Sequence, residues 1–262
     1  MLQTVAINPA IPARRVTNRA KGSPRLVPDF RTGARCASCC LQGVCLPSNL
    51  GHPELERFDA MVAQKRKVAR GAALYRNGDP FEALYAVRSG AFKSVGVSRE
   101  GDEKITGFYL PGEMLGLDSI SPGRHRYDAI ALEDGEVCVI PYGPLEQMAA
   151  STPELQRQLF RVLSSDISRD QGLMLLLGSM SAEQRLAAFL LSLSRRYERM
   201  GFAANCFVLR MTREEIGNYL GVTLETISRL MSRFQRSGLI TVRQRDIELS
   251  NVDGLMELVG HW

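Results

Sequence analysis

The stretch MTREEIGNYLGVTLETISRLMSRFQRSGLITVRQRDIELS, residues 211–250, decides the fold. Thr212 stands three residues before Glu215, the spacing at which a helix N-cap and its capping-box partner satisfy each other's backbone donors. The helix it opens should end at Leu220, with Gly221 making the turn. Thr223 caps a second helix that should begin near Leu224. Ile216, Leu220, Val222, Ile227 and Leu230 are spaced to pack the two helices together. Two short capped helices around a tight glycine turn predict a helix-turn-helix. Downstream, LITV and IELS flank RQRD and predict a small hairpin, a wing beside the helices.

On the second helix, Glu225, Ser228 and Arg229 lie at i, i+3 and i+4 and share one face near its N-terminal end. Arg pairs bidentately with guanine, Glu accepts from the cytosine amino group, and Ser serves either, so this face is suited to base edges. Arg233 and Arg236 continue it and suit phosphates. Double-stranded DNA is the predicted partner.

Upstream, residues 153–201 carry a helical period with no internal proline after Pro153. Gly178-Ser179 predicts a break, and Ser181 with Gln184 a fresh capping box. Phe160, Leu163, Ile167, Asp170, Met174 and Leu177 step by threes and fours, a coiled-coil stripe that predicts a homodimer seam. A twofold dimer places two reading helices on a palindromic operator. An acid in that seam opposes closure: two copies of Asp170 about 6 Å apart repel by about 2–3 kcal/mol at an effective dielectric near 20. Such a dimer is poised to respond to a signal elsewhere in the chain.

From about 70 to 141 the texture is different. Short apolar runs alternate with turn signals at Asn77-Gly78-Asp79, Ser89-Gly90, Glu100-Gly101-Asp102, Pro111-Gly112 and Asp134-Gly135. This predicts an antiparallel β-roll. Leu55, Phe58, Met61 and Val62 predict a short helix before it. The fold class is therefore α+β. The boundaries drawn are a basic tail at 1–35, a cysteine loop at 36–50, a β-roll at 51–152, a dimerisation helix at 153–180 and a winged helix-turn-helix at 181–262.

The net charge of +5 is uneven. Residues 1–35 hold Arg14, Arg15, Arg19, Lys21, Arg25, Arg31 and Arg35 against Asp29 alone, so the rest is near neutral. The tail predicts a flexible arm, with nonspecific DNA contact as the functional alternative. No apolar run approaches a membrane span, since GLMLLLG at 172–178 is far too short. The N-terminus lacks the order of a secretory signal. A cytoplasmic protein with no membrane partner is expected. The three histidines, His52, His125 and His261, are scattered and no activated nucleophile is evident, so no enzymatic activity is expected.

CASCCLQGVC, residues 36–45, places four of the six cysteines in ten positions. In a reducing compartment such a cluster points to metal binding or redox sensing rather than a structural disulfide. Cys36 with Cys39 puts two sulfurs on one tight loop, Cys45 follows, and Cys40 offers a competing register. Cys138, in GEVCVIP, is a distant fourth candidate: if Val137 and Val139 face the roll's core, it faces out. Cys206, beside Phe207, reads as a packing residue. Spacing leaves zinc and iron–sulfur chemistry equally open.

The strings CASCCLQGVCLP (36–47), LYAVRSGAFKS (84–94), GDEKITGF (101–108), LEDGEVCVIP (132–141), QRLAAFLLSLSRR (184–196), MTREEIGNYLGVTLETISRL (211–230) and FQRSGLI (234–240) occur in one order that resembles the Crp/Fnr superfamily, specifically its Fnr branch. The resemblance implies a 4Fe–4S cluster on Cys36, Cys39, Cys45 and Cys138, with Cys40 at a position where the family needs no cysteine. It implies that Glu225, Ser228 and Arg229 read half-sites like TTGAT, and that residues 153–180 form the dimer helix, Asp170 included. It implies an anaerobic regulator that activates and represses genes through RNA polymerase. Gly112-Glu113 resembles the turn of cyclic-nucleotide binders. The following GRHRYDA lacks their Arg-Ser pair, so cyclic nucleotide is not an expected ligand.

Overall fold

The computed structural model describes residues 35–62, 64–98 and 100–260. The arm expected at 1–35 thus lies, but for Arg35, outside the described residues. Helix α1 (His52–Met61) precedes the strands β1 (Lys65–Val68), β2 (Ala73–Tyr75), β3 (Ala83–Ser89), β4 (Phe92–Val97), β5 (Glu103–Tyr109), β6 (Met114–Leu115), β7 (Asp128–Ala131) and β8 (Gly135–Pro141). Helices α2 (Tyr142–Ser151), α3 (Pro153–Ser179) and α4 (Ala182–Arg199) follow, then β9 (Cys206–Val208), α5 (Arg213–Leu220), α6 (Leu224–Arg236), β10 (Ile240–Arg243), β11 (Asp246–Leu249) and α7 (Val252–Val259).

The first eight strands make two antiparallel sheets, ordered β1-β8-β3-β6 and β2-β7-β4-β5, that face each other as the expected roll. Leu74, Val87, Phe92, Leu115, Ala129 and Val137 fill the space between them. β3 is buried on both faces, which is why ALYAV reads as an unbroken apolar run rather than an alternation. Val87 points into the roll, while Leu84 and Ala86 point the other way, into a cluster built with α1, α2 and the N-terminal half of α3. Helix α2 was not anticipated from the β-like texture that precedes it. It seats Leu145 and Met148 in that same cluster.

The capping boxes at Ser181 and Thr212 are both formed. Gly221 ends α5 at φ 68°, the left-handed conformation that glycine adopts without strain. Gly217 answers a different need: a Cβ there would lie 2.7 Å from the Val222 carbonyl oxygen, so only glycine lets α5 approach the turn this closely. Ile216, Leu220 and Ile227 are fully buried, with Val222 and Leu230 packed against them. The hairpin β10–β11 forms as expected. A third strand, β9, joins it through Phe207, which is buried opposite Ile247.

One guanidinium joins the long helix to the helix-turn-helix. Arg185 donates to Leu177 O at 2.7 Å and Met180 O at 3.0 Å, at the end of α3, and to Leu220 O at 3.0 Å, at the end of α5. It thereby satisfies carbonyls that both helix C-termini leave without intrahelical partners. Among the described residues, no helix is long and apolar enough to cross a membrane.

Candidate functional site

Helix α6 starts where Thr223 Oγ1 accepts from the Thr226 N–H at 3.2 Å. Ile227, Met231 and Phe234 anchor its inner face. The outer face then falls to Glu225 and Arg229, both exposed, and Ser228, half-buried. The Glu225 carboxyl is held below its ordinary value, first by a backbone N–H of the helix N-terminus and then by Thr223. Arg213, which the sequence reading passed over, reaches across from α5 to within 3.5 Å of Ser228 Oγ. Arg236 is exposed. Arg233 is exposed too, but its Nη1 lies 3.2 Å from Glu183 Oε2 of α4, so the expected phosphate contact shares that side chain with an intramolecular carboxylate.

The cysteine loop is folded onto the roll's outer surface by its own apolar residues. Leu41, Leu46 and Leu50 are buried, and the Cys36 N–H donates to Asp59 Oδ1 of α1 at 2.7 Å. On β8, Cys138 shares a face with Ile140, in the cluster that holds Leu46, whereas Val137 points into the roll. Cys36, Cys39, Cys45 and Cys138 therefore line one cavity, walled by Leu41, Phe58, Val62, Ala86 and Ile140, with Arg88 at its margin. Cys40 is exposed and outside that lining.

Burial pushes the Cys45 thiol up to about 12, and the Cys138 charge adds to the effect. Cys36 rises further, through burial, then the Asp59 carboxylate, then Cys45 and Cys138. Cys138 also rises by burial, opposed by the positive charge of Arg88. Such thiols ionise readily only with a cationic centre among them. Among the described residues, no three His, Cys, Asp or Glu side chains converge on a point where a single ion could sit. Four thiols lining one apolar space are a donor set of the kind that thiolate-ligated zinc and iron–sulfur groups both use.

Helix α3 exposes most of its length and buries only Leu155. In the stripe, Phe160, Ile167 and Met174 are 61%, 57% and 71% exposed, and Leu163 and Leu177 are half-buried. Asp170 is exposed among them. Partial burial pushes its carboxyl up, against the pull of Arg169 and with the help of Asp118. The adjoining side of α3 touches the cysteine loop: Leu159, Val162 and the stripe's own Leu163 pack on the cluster containing Cys36, Cys45 and Cys138, and the Gln158 amide donates to Ser48 Oγ.

The helix-turn-helix also docks on the roll, a contact the sequence did not reveal. Lys93 Nζ of β4 lies 2.9 Å from Glu215 Oε1. Asn218 accepts from the Ile105 N–H at 2.7 Å and donates to Glu103 O at 2.9 Å. Arg210 Nη1 meets Glu133 Oε2 at 2.7 Å. Arg196 Nε meets Glu113 Oε1 at 2.8 Å, and its Nη2 donates to Phe108 O at 2.6 Å. The Gly112-Glu113 turn is therefore engaged from both sides, since a Cβ on Gly112 would lie 2.7 Å from Val44 Cγ2 of the cysteine loop.

Comparison with known proteins fits this anatomy. Residues 184–258 match the Crp-like helix-turn-helix domain, and residues 65–152 match the cyclic nucleotide-binding domain. The chain is 47% identical over 236 residues to the transcriptional regulatory protein btr of Bordetella pertussis, covering 90% of this chain and 98% of that protein. It is 41% identical over 251 residues to the fumarate and nitrate reduction regulatory protein of Escherichia coli K12, covering 96% and 98%. Among solved structures, FixK2 from Bradyrhizobium japonicum superposes with a TM-score of 0.69 at 32% identity, covering 76% of this chain and 98% of that one. With long relatives aligned end to end and both component domains matched, the chain belongs to the Crp/Fnr family of DNA-binding transcription regulators and is not an enzyme.

Proposed function

We propose that this regulator senses oxygen through a 4Fe–4S cluster held by Cys36, Cys39, Cys45 and Cys138, and in its absence binds palindromic TTGAT-like operators as a homodimer. The observation that carries this reading is the meeting of four thiols, three from the loop and one from β8, around one apolar cavity. When bound, the cluster supplies an oxygen-labile crosslink between the loop and the strand.

The remaining work belongs to the chain itself. Leu46 and its neighbours hold the loop on the face of the roll that Leu159, Val162 and Leu163 of α3 also contact. A change in the seating of the loop therefore reaches the helix that presents Phe160, Ile167 and Met174 to a second copy. Repulsion between the two Asp170 carboxylates keeps that pairing marginal, so a few kcal/mol of coupling decides it. The paired chains set two copies of Glu225, Ser228 and Arg229 against the major groove, with Arg233 and Arg236 along the backbone. Contact with RNA polymerase then activates some promoters, while occupancy represses others, in the control of anaerobic metabolism in the cytoplasm. Cyclic nucleotide has no part in this scheme: Glu113 is held by Arg196 and the Leu110 N–H, and Val44 stands over Gly112.

The test is purification under nitrogen with iron and sulfide assay, followed by gel shift on a TTGAT palindrome before and after exposure to air. Brown protein that shifts the duplex and loses both properties in air is expected. Iron-free protein that binds equally well in air overturns the proposal.

A further inference from the structure

The cavity has one charged residue at its margin that the scheme above does not use. Arg88, near the end of β3, is only 4% exposed, and it borders the same space as Cys36, Cys39, Cys45 and Cys138. Its Nε lies 3.3 Å from Glu136 Oε2, and that carboxylate is itself largely buried. The β3–β8 register pairs Ala86 with Cys138 and Ser89 with Glu136, so this ion pair sits immediately along the ladder from the distal cysteine. Burying an arginine is costly unless its charge is matched. Glu136 supplies one match. The thiols, once ionised, supply more.

We infer that Arg88 is the counter-charge of the cysteine site, a buried guanidinium whose field and N–H donors stabilise the anionic, thiolate-ligated group, and that Glu136 trims that charge. The inference rests on the proposed cluster and adds to it the residue pair that sets its electrostatics. A cubane held by four thiolates is a net anion in an apolar cavity. Its potential depends on net charge, hydrogen bonds to sulfur and solvent exposure. A cation at the margin favours the more reduced, more negative state, and a carboxylate beside that cation opposes it. The two residues should therefore act with opposite signs, which a purely structural ion pair would not do.

The experiment compares wild type with Arg88→Met, Arg88→Lys, Glu136→Gln and the double variant Arg88→Met/Glu136→Gln, all reconstituted under nitrogen. The readouts are iron and sulfide content, midpoint potential by protein-film voltammetry, and the rate of iron loss to a chelator. Arg88→Met should move the midpoint to more negative values and speed iron loss several-fold. Arg88→Lys, which keeps the charge, should stay near wild type. Glu136→Gln should move the midpoint to more positive values and slow iron loss. The double variant removes both charges, so it separates a field effect from a misfolded ion pair, and its iron loss should exceed that of wild type. Should Arg88→Met fail to fold, the Glu136→Gln shift decides. A wild-type protein without iron and sulfide overturns the cluster reading and this inference with it. A loaded wild type whose midpoint and iron loss are unmoved by these variants, or move the same way in Arg88→Met and Glu136→Gln, overturns the role of Arg88 alone.

Discussion

Arg196 of α4 is clasped by Glu113, 83 residues earlier in the chain, with Nε 2.8 Å from Oε1. The pair ties the turn after β5 to the helix that carries the DNA-binding domain. Its guanidinium is only 8% exposed, so it depends on that carboxylate for its charge balance. Glu113→Gln should cost about 2 kcal/mol, the range of a hydrogen bond to a charged group. Urea denaturation should then show the helix-turn-helix separating from the roll at lower denaturant than in the wild type, while the roll's own transition stays in place.

Acid should loosen the same contact. Burial pushes the Glu113 carboxyl up, but the Arg196 charge and hydrogen bond, Arg169 and the Leu110 N–H outweigh it and leave it below its ordinary value. Glu215 behaves likewise: burial is outweighed by Lys93 and the Thr212 N–H. A carboxylate with a depressed folded-state value adds stability that is complete above the ordinary value, about 4.5 here, and is lost as the pH falls toward the depressed one. Interdomain docking, followed by small-angle scattering or hydrogen exchange at β5, should therefore hold near neutrality and weaken below about pH 4.5. In Lys93→Met the part due to Glu215 should be smaller.

Removing the seam acid should tighten the dimer. Asp170→Ala deletes a repulsion of about 2–3 kcal/mol, so self-association without iron should strengthen by about 30- to 150-fold. Sedimentation equilibrium reads this directly. In the wild type, the Asp170 carboxyl sits above its ordinary value, so lowering the pH neutralises it early and should favour the dimer, whereas Asp170→Ala should lack that dependence.

The four lining thiols and the outlying one should separate cleanly. Cys138→Ser should abolish iron and sulfide retention under nitrogen and with it operator binding. Cys40→Ser should keep both, because Cys40 stands outside the cavity.

On DNA, Arg229→Ala should lose about 1–3 kcal/mol of discrimination, roughly 5- to 150-fold, and relax the preference at one base pair. Arg236→Ala should weaken all duplexes alike and flatten the salt dependence. Glu183→Gln releases Arg233 from its intramolecular partner and should raise nonspecific affinity, measured by fluorescence anisotropy at fixed salt.

Local chemistry along the chain accounts for much of this molecule. Capping boxes, the glycine turn, the period of the long helix and the recurrent turns of the roll are written in contiguous residues, because each depends on neighbours a few positions away. Thr212, Gly221 and Ser181 do in the structure what their spacing implied. The outward placement of Glu225, Ser228 and Arg229 on α6 was legible for the same reason. The cysteine site was legible only by halves: spacing named the loop thiols but left Cys39 and Cys40 in competition. Docking of the loop through Leu41 and Leu46 turned Cys39 toward the cavity and left Cys40 in solvent. Arg88 beside the thiols, Glu113 on Arg196, Glu215 on Lys93 and Glu183 on Arg233 join positions scores of residues apart, or carry no periodic signature. Sequence by itself determined most of the elements and their exposed faces, α2 and β9 excepted. Only the tertiary structure decided which charges and sulfurs meet, because burial and Coulomb attraction act through space rather than along the chain.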